Sequence, residues 1–400
     1  MPKQQVDHVV IGLGGLGSAS TYWLSKMSRN QKIVGIEQFN LGHERGASHD
    51  HSRIIRYSYH TPEYVKLARA AYKAWDDVAA DFGEELVVRT GGIDLFPTNC
   101  AIPMSTYTTS LDAEGIQYEL ISAQETMKRY PQFRLRDDVV ALYQNETGIA
   151  PAARGTAAHQ TLAQANGAIL HDNTPVKSIH SSGRDGDDIT VVTDTCEYRT
   201  GSVIICADGW TNELLSSINY HIPLEVTREQ VVYYPAVSES LRDFEIGKFP
   251  VWIWMDNPSY YGFPVYGDLQ SVKAAEDVGG EPTTARERSY ETNQASLGRL
   301  TDFIRTTIPG MLSPASLPPP RVKTCLYTLT KDRDFVLDSV PGHPGIQVAL
   351  GAAHGFKFAS WFGRCLAERS LLGETSSYIH PFRLDRPAIT DPNFVGNYIV

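Results

Sequence analysis

Dense apolar runs alternate with helical spacings along the first hundred residues. Val6 to Gly12 (VDHVVIG) predicts a buried strand. Glycine-rich residues follow, and Ser18 to Ser28 predicts a helix with Ala19, Tyr22 and Trp23 on one side. Lys32 to Glu37 (KIVGIE) is a second buried strand. Strand, glycine turn, helix and strand within about 30 residues make a βαβ unit, whose strands run parallel. Pro62 to Phe82 carries apolar residues at helical intervals, with Val65, Leu67, Ala71 and Trp75 as core positions. Gly91 to Phe96 (GGIDLF) then predicts a strand in a different sheet.

The alternation returns further on. Ala152 to Asn166 predicts a helix and Ala168 to Leu170 a short strand. Ile189 to Thr193 and Ser202 to Ala207 (SVIICA) are two more strands, the second dense enough for a buried sheet. From about residue 220 to 320 aromatics, Pro and Gly dominate, and their alternation suits an antiparallel sheet. Leu312 to Arg321 is a proline-rich connection, after which α/β character resumes. The expected fold is α/β (α+β overall). A Rossmann-like nucleotide-binding domain takes residues 1–85, 146–220 and 321–400. A substrate domain takes 86–145 and 221–320, on a mixed, largely antiparallel sheet.

Composition narrows the function. A chain of 400 residues, 42% hydrophobic, is ample for a sizeable core. Its net charge of −10, with no block of consecutive basic residues, argues against nucleic acid or an anionic membrane as partner. No stretch approaches the roughly 18 apolar residues of a membrane span. The opening MPKQQVDHVVIGLGG runs into a strand without the long apolar region of a secretory signal, so the cytoplasm is the expected location. Five cysteines, with no CxxC pair, argue against both a disulfide framework and a zinc site. A Ser–His–Asp triad is not indicated either, since no GxSxG elbow exists.

Candidate chemistry starts at the first glycine turn. Gly12, Gly14 and Gly17 fit GxGxxG: the first allows the tight turn, the second lets backbone approach a pyrophosphate, and the third permits close helix–strand packing. The helix N-terminus offers amide donors and partial positive charge to that anion. Glu37 closes the next strand about 20 residues on, where a carboxylate accepts from ribose hydroxyls. This acid disfavours the 2′-phosphate of NADP but does not separate NAD from FAD.

The segments Gly46-Ala47-Ser48, Ser52-Arg53-Ile54-Ile55-Arg56-Tyr57, Tyr260-Tyr261-Gly262-Phe263-Pro264, Lys323 to Thr328, His354 to Phe358 and Ile379 to Ala388 follow in order. In these the chain resembles the monomeric sarcosine oxidase and N-methyltryptophan oxidase family, within the D-amino-acid oxidase-like flavoenzymes, across essentially its whole length. The resemblance implies FAD, attached covalently from Cys325 sulfur to the flavin 8α carbon. It further implies that Arg56 and Lys357 hold the substrate carboxylate, with Tyr261 also contacting substrate. Arg53 would lie against the flavin and tune it, and Lys273 would sit near flavin N5 and promote reaction with oxygen. Ser48, Val176, His354, Gly355, Phe356 and Lys357 complete the implied cofactor contacts. The histidines and acid of His43, His49, Asp50 and His51 match the flavin-covering segment rather than a metal site, which needs three or four converging ligands.

Two departures from the family pattern stand out. The spacing from Gly262 to Lys273 is one residue longer than usual, and Asp277 occupies the place of an active-site histidine. A carboxylate there either attracts the substrate amine or, with the register shifted, is solvated in an acidic loop. Some relatives that oxidise cyclic imino acids also carry an acid at this place. Trp252, Trp254 and Trp361 either line a roomy aromatic pocket or pack in a core or lid, the more frequent role. The expected activity is FAD-dependent oxidation of a secondary amino acid, such as sarcosine or L-pipecolate, by hydride transfer to flavin, with O2 reduced to H2O2 by a monomer. Alternatives are an oxidase of glycated amino acids, an NAD-dependent dehydrogenase sharing the βαβ start, and a flavin-binding protein without turnover.

Overall fold

The structure, a computed structural model, describes all residues except 185, 187, 236–240, 268, 313–318 and 397–400; most of the proline-rich connection lies outside the described residues. His8–Ile11 is the strand predicted from VDHVVIG, and all four of its residues are buried. It pairs in parallel with Ile33–Ile36 on one side and Ser202–Ile205 on the other. Those apolar runs are explained by position: the sheet order is Ile169–His171, Ile33–Ile36, His8–Ile11, Ser202–Ile205, His343–Leu350 and Val336–Val340, with helices packed against it. Only the edge strand Val336–Val340 joins antiparallel.

The helix Gly15–Met27 begins three residues earlier than its sequence suggests. Glycine is a poor helix former, but a tertiary contact sets this start, because the Gly15 N–H donates to Ser48 Oγ at 2.8 Å. The helix packs between Ala152–Ala165 and Ala359–Leu372. A Cβ on Gly363 would lie 2.4 Å from the Ala19 carbonyl carbon, so only glycine permits that approach. Pro62–Phe82 is helical over the range expected, with Thr61 Oγ1 accepting from the Tyr64 N–H and Gly83 closing the end at φ 80°. Val65, Leu67, Ala71 and Trp75 are all buried.

The middle of the chain builds a nine-stranded sheet. Glu225–Pro235, Ser271–Asp277, Ser259–Gly262 and Val251–Trp254 follow one another antiparallel. Val251–Trp254 then meets Gly92–Phe96 in parallel, which makes the sheet mixed. Alternation explains the aromatics: Trp252 is fully buried in a core with Phe133 and Phe303, while Ile253 and Met255 face a cavity instead. Arg321–Leu329 pairs along Glu225–Pro235, setting Cys325 opposite Glu229. A small sheet of Ser52–Ile55, Gly148–Pro151 and Val88–Arg89 carries Arg53 to the junction of the two large sheets.

Candidate active site

The glycine turn opens onto a cavity of ≈ 510 Å³. Gly12 adopts φ 89°, and a Cβ there would fall 2.4 Å from the Cys206 carbonyl oxygen. Gly17 does not line the cavity; its hydrogen occupies the space between helix and turn, where a Cβ would be 1.8 Å from the Gly12 oxygen. Gly14, Glu37, Ser48, Arg53, Val176, Gly355 and Phe356 all contribute to the wall. Glu37 is buried, and its two oxygens accept from the N–H groups of Leu13 (2.8 Å) and Phe39 (3.1 Å), so the acid ties the turn to the end of the second strand. His43 Nε2 lies 3.4 Å from the same carboxylate.

Polar groups aimed into this cavity are left without protein partners. Both ring nitrogens of His49 are buried and unpaired, and burial together with the Arg53 charge brings its pKa down to about 4. Asp208 has one oxygen without a partner, and burial pushes its carboxyl up to about 6. A Cβ on Gly14 or Gly15 would press on Ser48 and Phe356 at 3.0 and 2.8 Å. Bare backbone beside a helix N-terminus, a buried acid at the strand end and unpaired polar groups in the wall fit a bound FAD.

A second cavity, ≈ 110 Å³, shares Arg53, Ala353 and Phe356 with the first. Arg56, Tyr261, Asp277, Tyr327, Arg333, His354 and Lys357 surround it. Burial works against the Arg56 charge, but Asp94 at 3.1 Å more than offsets this and holds the guanidinium above its usual range. Lys357 has no carboxylate within ion-pair distance among the described residues; its ammonium lies over the Tyr59 and Phe358 rings. Burial, then the Arg56 charge, lower it to about 7. His354 is neutral, held well below the ordinary histidine range by burial and by Lys357.

Asp277 belongs to this cavity and not to a solvated loop. The hairpin register pairs it with Ser259 and pairs Ala275 with Tyr261. Its carboxylate accepts from the Tyr327 hydroxyl (3.3 Å) and lies 3.6 Å from an Arg333 nitrogen. Lys273 and Cys325 line neither cavity. Lys273 is buried over the Phe263 ring, paired with Asp50 at 2.6 Å. Cys325 is buried, its thiol pushed up to about 11 by burial, while the neighbouring Leu326 and Thr328 line the larger cavity. Arg53 donates to the carbonyls of Ala47, His49 and Ser52, clasping the loop at the junction of the cavities.

Several residues of this site were not singled out from the sequence. Asp94 is an acid inside the buried strand GGIDLF, which is itself a signal, since a buried charge needs a partner. Tyr327 lies in the segment Lys323 to Thr328 that carries the resemblance but has no role assigned there, and Arg333 carries no spacing that distinguishes it from surface residues.

A dinucleotide cradle beside a cation-lined pocket fits an oxidoreductase with a nucleotide cofactor. The profile of the FAD dependent oxidoreductase (DAO) family matches residues 7–369, and the chain belongs to that family. FAD is its cofactor, and its class is that of the flavin-dependent amine oxidases. The monomeric sarcosine oxidase of Streptomyces avermitilis is 31% identical over 387 residues, covering 95% of this chain and 97% of that protein. The N-methyl-L-tryptophan oxidase of Escherichia coli is 29% identical over 391 residues, covering 95% and 99%. The solved structure of NikD, an unusual amino acid oxidase essential for nikkomycin biosynthesis, matches with TM-score 0.83 at 23% identity, covering 95% of this chain and 97% of that one. Among the described residues no helix is long and apolar enough to cross a membrane.

Proposed function

We propose that the chain is an oxidase of small secondary amino acids, cyclic or N-methylated, that passes electrons to O2 and releases H2O2. The observation that carries this reading is the convergence of Arg56, Lys357 and Tyr261 on a small cavity that shares Arg53 and Phe356 with the FAD cradle. FAD, when bound, supplies the electron sink for oxidising the C–N bond. The protein's share is positioning. Arg56, fixed by Asp94, and the unpaired Lys357 take the substrate carboxylate, which neutralises a cation that lacks a partner. Asp277 and Tyr261 stand in the same wall for the substrate amine and ring. The amine reacts in its neutral form, and the imine formed is hydrolysed by water. At ≈ 110 Å³ the cavity is small beside the about 300–1,000 Å³ of sites for drug-sized ligands, which favours proline- or sarcosine-sized substrates over glycated ones.

The finer assignments belong to the same proposal. Cys325 carries the flavin covalently, Lys273 acts on oxygen, and the chain works as a cytoplasmic monomer in two domains divided as the sequence pattern suggests. Peroxide release by the purified yellow protein tests the activity, with sarcosine, L-proline, L-pipecolate, N-methyltryptophan and fructosyl-glycine as substrates. Turnover of the first three is expected. Turnover of fructosyl-glycine alone, or none with any secondary amine, would overturn the reading.

A further inference from the structure

Asp50 holds the most tightly enclosed ion pair in the neighbourhood of the site. Its Oδ2 lies 2.6 Å from Lys273 Nζ, with the two side chains 2% and 4% exposed. The other oxygen accepts from the Tyr233 hydroxyl at 2.6 Å and lies 3.7 Å from Lys323. Lys273 is further fixed by donating to the Ser52 carbonyl (3.1 Å) and Oγ (3.2 Å), and its ammonium lies 4.9 Å from the Phe263 ring centre. The Asp50 backbone adopts φ 76°, a conformation uncommon for residues other than glycine, so the surrounding contacts must hold it. Such enforced geometry is expected where a side chain has a task.

We infer that Asp50 is a positioning residue that keeps Lys273 cationic, so that the oxygen step depends on a carboxylate supplied by the loop before Ser52–Ile55. The inference rests on the oxygen role proposed for Lys273. A buried ammonium tends to lose its proton. Even with Asp50 in place, burial brings Lys273 down to about 8, and Arg53 pushes the same way. Asp50 is the opposing charge, held far below the carboxylate range by Lys273 and Arg53 although burial works against it. The other groups facing the ammonium do not replace it. Tyr233 is neutral, its hydroxyl pushed far up by burial and by Asp50. Cys325 is uncharged at neutral pH, whether as the buried thiol or as the thioether of the proposed flavin link. Lys323 is a cation whose closest acid is Glu44 at 2.8 Å. Without Asp50, burial and the Arg53 charge act on Lys273 unopposed by a carboxylate, toward the neutral amine.

The test is reoxidation of the reduced, FAD-loaded protein by O2 in rapid mixing, from about pH 6 to 10, which brackets the lowered lysine pKa. The variants are Asp50→Asn, Asp50→Glu and Lys273→Met. The unaltered protein should lose rate as pH rises through about 8. Asp50→Asn should move that inflection down by about one unit or more and approach Lys273→Met at neutral pH, while Asp50→Glu restores the profile. Thermal unfolding of the same proteins gives a readout independent of turnover. Asp50→Asn should lower the Tm, and adding Lys273→Met should recover part of the loss, because the unpaired base is gone. If Lys273→Met reoxidises like the unaltered protein, the oxygen role of Lys273 falls. If Lys273→Met is slow but Asp50→Asn keeps the original inflection, or if the double variant recovers no Tm, the inference about Asp50 is overturned.

Discussion

Lys357 and Arg56 face one cavity, yet only Arg56 has a close partner that secures its charge. Arg56 has Asp94 at 3.1 Å, whereas burial and Arg56 itself bring Lys357 to about 7. Carboxylate binding requires the protonated lysine, so affinity is full below that pH and is lost as pH rises through it. For a cyclic carboxylate with no ionisable amine, such as tetrahydrofuran-2-carboxylate, the dissociation constant should rise by up to about tenfold per pH unit above neutrality. Flavin absorbance titrations report it, and Lys357→Met should bind weakly with no pH dependence. A flat profile in the unaltered protein, together with unweakened binding by Lys357→Met, would remove Lys357 from the carboxylate site. At this scale the sequence was legible through motif order: Arg53, Arg56, Tyr261 and Lys357, far apart in the chain, line one cavity. Asp94 was not legible as a partner, because it lies 38 positions from Arg56 and no local spacing joins two strands of different sheets.

Elements explain why some positions tolerate nothing larger. At Gly17 a Cβ would meet the Gly12 oxygen at 1.8 Å, and the turn is held from below by Glu37 and from the side by Ser48. Gly17→Ala must therefore push the helix Gly15–Met27 off the sheet, at a cost of about 1–3 kcal/mol, and in a Cys325→Ser background, where no covalent link can hold the flavin, should abolish FAD retention on gel filtration. Normal retention would mean that the turn relaxes freely. The βαβ start could be read from pattern alone because its strands are apolar on both faces and its glycines have steric reasons. The hairpin carrying Asp277 could not, since a one-residue change of spacing turns every side chain to the opposite face. Pairing of Ser259 with Asp277 decides it, and puts the acid in the pocket wall. Asp277→His should accordingly raise the preference for sarcosine over L-pipecolate by about tenfold, the scale of one charged hydrogen bond. The kcat/KM ratio measures this, and an unchanged ratio would place Asp277 outside substrate contact.

On the scale of the whole molecule, the site is a seam between two sheets, each gathered from distant stretches of chain. Arg321–Leu329 shows why such assembly escapes local reading: it follows the proline-rich connection in sequence but runs along Glu225–Pro235 in space. That pairing sets Cys325 on a sheet face with Lys323 and Tyr327, next to the loop holding His49 and Asp50. Burial pushes the Cys325 thiol up to about 11, with Arg53, Lys273 and Arg288 acting against that shift. Nucleophilic attack needs the thiolate, so the protein as folded is poised against rapid attachment at neutral pH. If Cys325 is the attachment point, loading flavin-free protein with FAD should give covalent coupling that accelerates by up to about tenfold per pH unit from neutrality toward the thiol pKa. Yellow colour carried into the acid-precipitated pellet measures the product. Cys325→Ser should bind FAD yet leave all colour in the supernatant, whereas a yellow pellet from that variant would assign the link to another residue. Lys273→Met should slow the coupling as well, since it removes one of the charges that favour the thiolate; equal rates would show that Arg53 and Arg288 suffice.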